Sequence, residues 1–156
     1  MDELMRREVL KIIESQGKAR EALIPVLKAV QRVNPKQYIP QEVSQLVAST
    51  MGISESEVYE VVSFYAEFSE KPRARNVIRI CDSTVCRVTH HRKTAELLEA
   101  ALGIRVGEAT EDGVFCLEYS PCFGACDVAP AIRINDRVYG NLDGEKLEEI
   151  LQSYRR

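Results

Sequence analysis

Up to about residue 70, apolar residues recur at spacings of three and four, the pattern of helices that bury one face. Met5, Val9, Ile12 and Ile13 form a first stripe, and Gly17 supplies its stop. Leu23, Val26, Leu27 and Val30 form a second, ended by Asn34-Pro35; Pro25 either opens that helix or kinks it. Tyr38-Ile39-Pro40 introduces a third helix, with Pro40 near its first position, Val43, Leu46 and Val47 inward, and Gly52 at its end. Ser54 and Glu57 make an S-x-x-E capping box for a fourth, whose apolar face is Val58, Val61, Val62, Tyr65 and Phe68. Four short amphipathic helices predict a small bundle. Its aromatics, Tyr59, Phe64, Tyr65 and Phe68, are expected chiefly in the core, and any apolar face beyond the bundle's needs is a docking surface.

After the charged stretch Lys71-Pro72-Arg73-Ala74-Arg75 the period changes. Val77-Ile78-Arg79-Ile80 reads as a strand running into Cys81. Thr94, Leu97, Leu98, Ala101 and Leu102 fall on a helical face closed by Gly103. A turn at Glu111-Asp112-Gly113 leads to a strand over 114–119. Ala131-Ile132-Arg133-Ile134 and Arg137-Val138-Tyr139 flank an Asn135-Asp136 turn as a hairpin. Asp143 caps a last helix with Leu147, Ile150, Leu151 and Tyr154 on one side. The order β-α-β-β-β-α predicts a crossover, an antiparallel edge and a mixed sheet with helices packed on it. The fold class is therefore α+β, with a helical bundle over residues 1–72 and a sheet domain with flanking helices over 73–156.

Composition narrows the function. Hydrophobic residues make up 45% of the chain, enough for a true core, and the net charge of -3 with interspersed signs argues against nucleic-acid binding. No apolar run approaches the ~18 residues of a membrane span, and the N-terminus lacks a signal-peptide core, so a cytoplasmic protein is expected. In that compartment thiols stay reduced, and clustered cysteines point to metal ligation or redox chemistry rather than structural disulfides.

The cysteines are clustered. Cys81 and Cys86 close a C-x4-C, Cys122 and Cys126 close a C-x3-C, and Cys116 stands outside both pairs. Each pair follows a strand run, so two loops at one end of a sheet can offer four thiolates. That set suits an iron–sulfur cluster, and its spacing also permits zinc. Neither pair is the C-x-x-C of a dithiol oxidoreductase, and the C-x4-C-x2-C of plant-type ferredoxins is absent. Free N–H groups around 82–85 and 123–125, with Arg87 nearby, would offset the charge of a cluster.

The segments Cys81-Asp82-Ser83-Thr84-Val85-Cys86 and Cys122-Phe123-Gly124-Ala125-Cys126-Asp127-Val128-Ala129-Pro130, with Ile134-Asn135-Asp136, resemble the thioredoxin-like [2Fe-2S] ferredoxin family. Its members include the small iron–sulfur subunit of the NADH-oxidising module of respiratory complex I. Matching subunits occur in NAD(P)-linked hydrogenases and formate dehydrogenases. Ile24-Pro25, Tyr38-Ile39-Pro40, Val58-Tyr59-Glu60-Val61 and Ser63-Phe64-Tyr65 resemble the family's N-terminal helices, so the likeness spans nearly the whole chain. The resemblance implies a thioredoxin-like sheet domain and one [2Fe-2S] cluster ligated by Cys81, Cys86, Cys122 and Cys126. It also implies a partner subunit that carries FMN and NAD(P), and a place at the cytoplasmic side of the membrane where the complex is respiratory. A further iron–sulfur catalytic subunit is a second expected partner. Phe123 departs from the leucine usual in the second loop, a change of packing rather than of ligation.

Other residues carry less. His90-His91 invites a Rieske-type reading, but four spaced cysteines already fill a site. Cys116 reads as a buried strand cysteine. Glu118 and Asp127 flank the second loop and, with no substrate pocket indicated, read as structural or solvated. No G-x-G-x-x-G, P-loop or nucleophile elbow occurs, so the chain is expected to bind neither nucleotide nor flavin alone, no catalytic residue is expected in it, and an NAD-linked reaction requires a partner.

Overall fold

The structure is a computed structural model that describes residues 2–89 and 91–155, with His91 described in its backbone alone. The chain divides into two compact units, Met1–Pro72 and Arg73–Arg156.

The first unit holds α1 (Glu3–Gln16), α2 (Leu23–Val33), α3 (Gln41–Met51) and α4 (Glu55–Phe64). Val9, Ile13, Val26, Leu27, Val43, Val47 and Val58 are fully buried in one cluster, so the stripes read from the sequence are the faces that meet. Pro25 is the third residue of α2, within the first turn, where backbone N–H groups have no intrahelical partner; it therefore opens the helix without a kink. Gly52 ends α3 in the left-handed conformation, φ +71°. At the start of α4 the Ser54 hydroxyl accepts from the Glu57 N–H (3.2 Å), which is the Ser54 half of the expected box. The Glu57 carboxylate serves instead an ion pair with the Arg20 guanidinium.

The fourth helix is shorter than the sequence suggests. It stops at Phe64, and Tyr65 is extended. Phe68 still reaches the core from the following segment, because the buried Gln31 amide holds that segment at both ends. Its Nε2 donates to the Glu67 carbonyl, and its Oε1 accepts from the Ser69 N–H, both at 2.9 Å. The expectation of core aromatics holds for Phe68; Tyr59, Phe64 and Tyr65 are exposed, Phe64 by 80%.

The second unit is a four-stranded mixed sheet in the order β2-β1-β3-β4, with β1 Asn76–Cys81, β2 Phe115–Ser120, β3 Ile132–Ile134 and β4 Arg137–Tyr139. β1 and β2 are parallel, joined by α5 (Thr84–Val88) and α6 (His91–Leu102); β3 is antiparallel to β1 and to β4. The helix α5 is not among the elements expected from the sequence; at five residues it is too short to show a period. α6 and α7 (Gly144–Arg155) belong to one core with Ile78, Ile80, Phe115, Leu117, Ile132 and Ile134. The strand residues in that core alternate with Arg79, Glu118 and Arg133, which belong to the opposite face.

Candidate metal centre

Parallel pairing brings the two cysteine loops to the same end of the sheet. Cys81 is the last residue of β1 and lies in register with Ser120, the last of β2. The Asp82 N–H donates to the Ser120 carbonyl (2.9 Å), which holds the two exits together. Cys86 sits on the inner side of α5; like Cys81 it is only 2% exposed. Cys122 follows in the loop after β2, and Cys126 opens a 3-10 turn over Cys126–Val128; both thiols are exposed. The Ala129–Pro130 peptide that leads from this turn to β3 is cis.

The structure brings the four predicted cysteines together. The Cys122 and Cys126 sulfurs are 3.4 Å apart. Cys81 stands near enough to Cys86 and to Cys122, and Ser83 near enough to Cys122, to act on those thiols. The order of neighbours runs Cys86–Cys81–Cys122–Cys126, one buried pair beside one exposed pair. Among the described residues no three His, Cys, Asp or Glu side chains close on one point as a single-ion site. Gly124, at φ +84°, turns its N–H onto the Cys122 sulfur (3.4 Å), and the Ala131 backbone lies beside Cys86 and lowers its thiol. The first of these requires a left-handed residue between the two loop cysteines, which glycine adopts without strain.

These contacts divide the thiols electrostatically. Burial first, then the neighbouring Cys81, pushes Cys86 up to about 11. The Gly124 amide, and after it Cys126, lowers Cys122, whereas Cys126 is raised by its contact with Cys122 and by burial. Metal binding must displace the protons that these contacts retain. The donor set is four sulfurs with no carboxylate or imidazole among them, one of them already taking an N–H bond. It fits an iron–sulfur cluster, whose thiolates and sulfides are soft, negative and favoured by backbone donors.

Three other expectations meet the structure here. Arg87 is not a free charge beside the loop: its guanidinium makes two bonds to Asp82, at 2.8 and 3.0 Å, and lies largely in solvent. Cys116 is buried away from the four, with Ala74 and Val77, and burial raises its thiol. Glu118 is structural. Arg73 grips its carboxylate through Nε and Nη2 at 2.7 and 2.9 Å, with the buried Arg79 at 3.8 Å. Sequence reasoning did not find this arginine group, although charged residues at alternate positions of an otherwise apolar strand were its signal. The histidine reading falls on His90, outside the described residues, and on the undescribed side chain of His91.

A small mixed sheet flanked by helices, with four cysteine thiols gathered where two parallel strands end, is an arrangement suited to a thiolate-held metal group. The profile of the thioredoxin-like [2Fe-2S] ferredoxin family matches residues 9–155, and the chain belongs to that family. As a member it is a [2Fe-2S] protein. It is 34% identical over 151 residues to an NADH-quinone oxidoreductase subunit of Rhizobium meliloti (strain 1021), covering 97% of this chain and 89% of that one. It is 36% identical over 148 residues to the NADP-reducing hydrogenase subunit HndA of Solidesulfovibrio fructosivorans, covering 95% and 85%. The fold is also that of a chain in the air-oxidised crystal structure of NAD+-reducing [NiFe]-hydrogenase, with a TM-score of 0.73 at 22% identity. The match covers 90% of this chain but 24% of that one, so this chain spans about a quarter of its length.

Proposed function

We propose that this chain is a one-electron transfer subunit of a multisubunit NAD(P)-linked oxidoreductase, with Cys81, Cys86, Cys122 and Cys126 as the ligands of its cluster. The observation that carries the reading is the gathering of these thiols at the end of β1 and β2, with Cys116 apart from them. When bound, a [2Fe-2S] cluster takes up and gives back one electron at a time. The protein's part is to hold it. Cys81 and Cys86 anchor its buried side, and Cys122 and Cys126 hold the side nearer solvent. The Gly124 amide donates toward sulfur and, with the Ala131 backbone, favours the negative charge there.

The partner is a subunit that binds flavin and NAD(P). A flavin accepts hydride as two electrons and iron–sulfur centres take one, so a one-electron station beside the flavin is chemically reasonable in such a complex. The naming of relatives as subunits of NADH-quinone oxidoreductase and NADP-reducing hydrogenase supports this place. The four N-terminal helices act as a bundle that docks the partner, while residues 73–156 carry the cluster. No helix among the described residues is long and apolar enough to cross a membrane. The subunit's place is cytoplasmic, peripheral to any membrane arm of its complex.

Electron paramagnetic resonance of the anaerobically purified chain, before and after dithionite, tests the proposal. The expected result is a silent oxidised sample that gains a spin-one-half signal of about one spin per chain. A colourless, metal-replete chain without that signal would make the site a zinc staple and remove the electron-transfer role.

A further inference from the structure

We infer that the outer face of α4 and the segment after it form a docking groove for an arginine-bearing, otherwise apolar segment of the flavin-binding partner; this rests on the subunit reading just proposed. The groove lies within the helical unit and measures about 870 Å³, between the start of α3, the outer face of α4 and residues 70–71. Ile39, 1% exposed, is its floor, and Tyr59, 56% exposed, lines it from α4. Its walls are fixed before any partner arrives. The Ile39 N–H donates to the Ser69 carbonyl (2.8 Å) and the Ser69 hydroxyl to the Lys71 carbonyl (2.7 Å), which ties residues 69–71 to the entry of α3. Val58 and Val62 bury the inner side of α4 in the bundle core, so Glu55, Tyr59 and Glu60 are left exposed on the outer side.

The charge of the groove selects its occupant. Glu55, Glu60 and Glu70 line it against one cation, Lys71. Glu55 takes a neutral donor, the Gln45 amide at 3.3 Å, and among the described residues none of the three carboxylates forms an ion pair. Glu57, on the same helix but outside the groove, is by contrast held by Arg20. A guanidinium suits such a groove best. It pairs with a carboxylate through two N–H groups, and its plane stacks on an aromatic ring such as that of Tyr59. Apolar residues of the same segment find footing at Phe64 and Tyr65, because Glu60 also lines the neighbouring hollow, of about 470 Å³, that those two residues border. A second copy of this chain is a worse match. Its net charge is -3, so it would bring an acidic protein to an acidic groove.

The test follows association of the full-length, cluster-loaded chain with the purified flavin-binding partner. Glu60→Lys with Glu70→Lys is expected to slow association about tenfold at about 50 mM salt. The difference from wild type should close at about 1 M salt, where the screening length is about 3 Å. Glu60→Gln with Glu70→Gln should give a smaller loss in the same direction, and Glu14→Gln, on α1 and outside the groove, should bind as wild type. Wild-type association of the lysine variant at low salt would overturn the inference. So would a loss that persists undiminished at high salt, since shape rather than charge would then decide docking. A wild-type chain that dimerises alone, with the dimer lost in the lysine variant, would give the groove to a second copy. A wild-type chain that carries the spin signal but does not bind the flavin-binding partner would instead overturn the subunit reading itself.

Discussion

Cys116 has the same side chain as the four paired cysteines, and only its surroundings set it apart. It packs with Ala74 and Val77, and its thiol is raised by burial. Cys116→Ser is expected to leave the visible and spin spectra of the cluster unchanged. It should cost about 1–3 kcal/mol of stability, since a hydroxyl replaces a thiol in an apolar site; thermal unfolding of the loaded chain reads this. Cys81→Ser or Cys122→Ser should change the spectra, and an unchanged spectrum would remove either residue from the ligand set. Gly140 governs the second loop from outside. A Cβ there would stand 2.3 Å from Val128 Cγ2 and 2.6 Å from the Val128 carbonyl oxygen. Val128 closes the turn that Cys126 opens, and its carbonyl accepts from the Asn141 N–H. Gly140→Ala is therefore expected to displace that turn, costing about 1–3 kcal/mol and lowering iron content per chain. At this scale the sequence shows the cysteines, because spacing is written in it. It does not show the backbone groups of Gly124 and Ala131, the arginine row or the Gly140–Val128 approach, which depend on backbone angles and strand register.

Among the elements, legibility follows length and period. α1, α2 and α3 bury the stripes that their spacing marks, and the β3–β4 hairpin turns at Asn135-Asp136 as its composition suggests. The misread parts are those where local pattern and tertiary tether disagree. Phe68 continues the spacing of α4 yet lies beyond its end, held by the Gln31 clamp, and α5 is one short helix inside a loop. The cap of α4 gives an elementary check: Ser54→Ala removes the acceptor of the Glu57 N–H and should cost about 1 kcal/mol in chemical denaturation. α7 contributes a pH dependence. The Tyr154 hydroxyl meets that of Tyr139 at 3.0 Å, and burial, then that contact, lifts Tyr154 from 10.0 to about 12. A folded-state value above the unfolded one means that folding retains the proton. The contribution is thus complete below pH 10 and is lost as pH rises toward 12. Tyr154→Phe should flatten this limb of the stability–pH curve; an identical limb in the variant would assign it to other groups.

For the molecule as a whole, the two units have separate cores: the helical cluster draws only on residues up to Phe68, and the sheet cluster only on residues from Ile78 onward. Every proposed ligand and both backbone groups beside them lie in the second unit; Tyr59, Phe64 and Tyr65 are exposed in the first, and Tyr119 in the second. The Phe64 and Tyr65 rings pack edge to face at 5.1 Å, so this apolar surface is ordered by its own contacts before any partner arrives. A division of labour follows, in which cluster chemistry and partner recognition can be lost one at a time. Removing residues 1–72 is expected to leave a chain that still takes up a cluster with the wild-type spin signal but no longer co-purifies with the flavoprotein. In the full-length chain, Phe64→Ser with Tyr65→Ser should weaken that association without shifting the midpoint potential, because neither residue belongs to the unit that carries the sulfur ligands. Co-purification that survives the deletion would assign docking to the cluster unit. Loss of the spin signal on deletion would show that the sheet unit needs the helices to hold its cluster, and would end the separation.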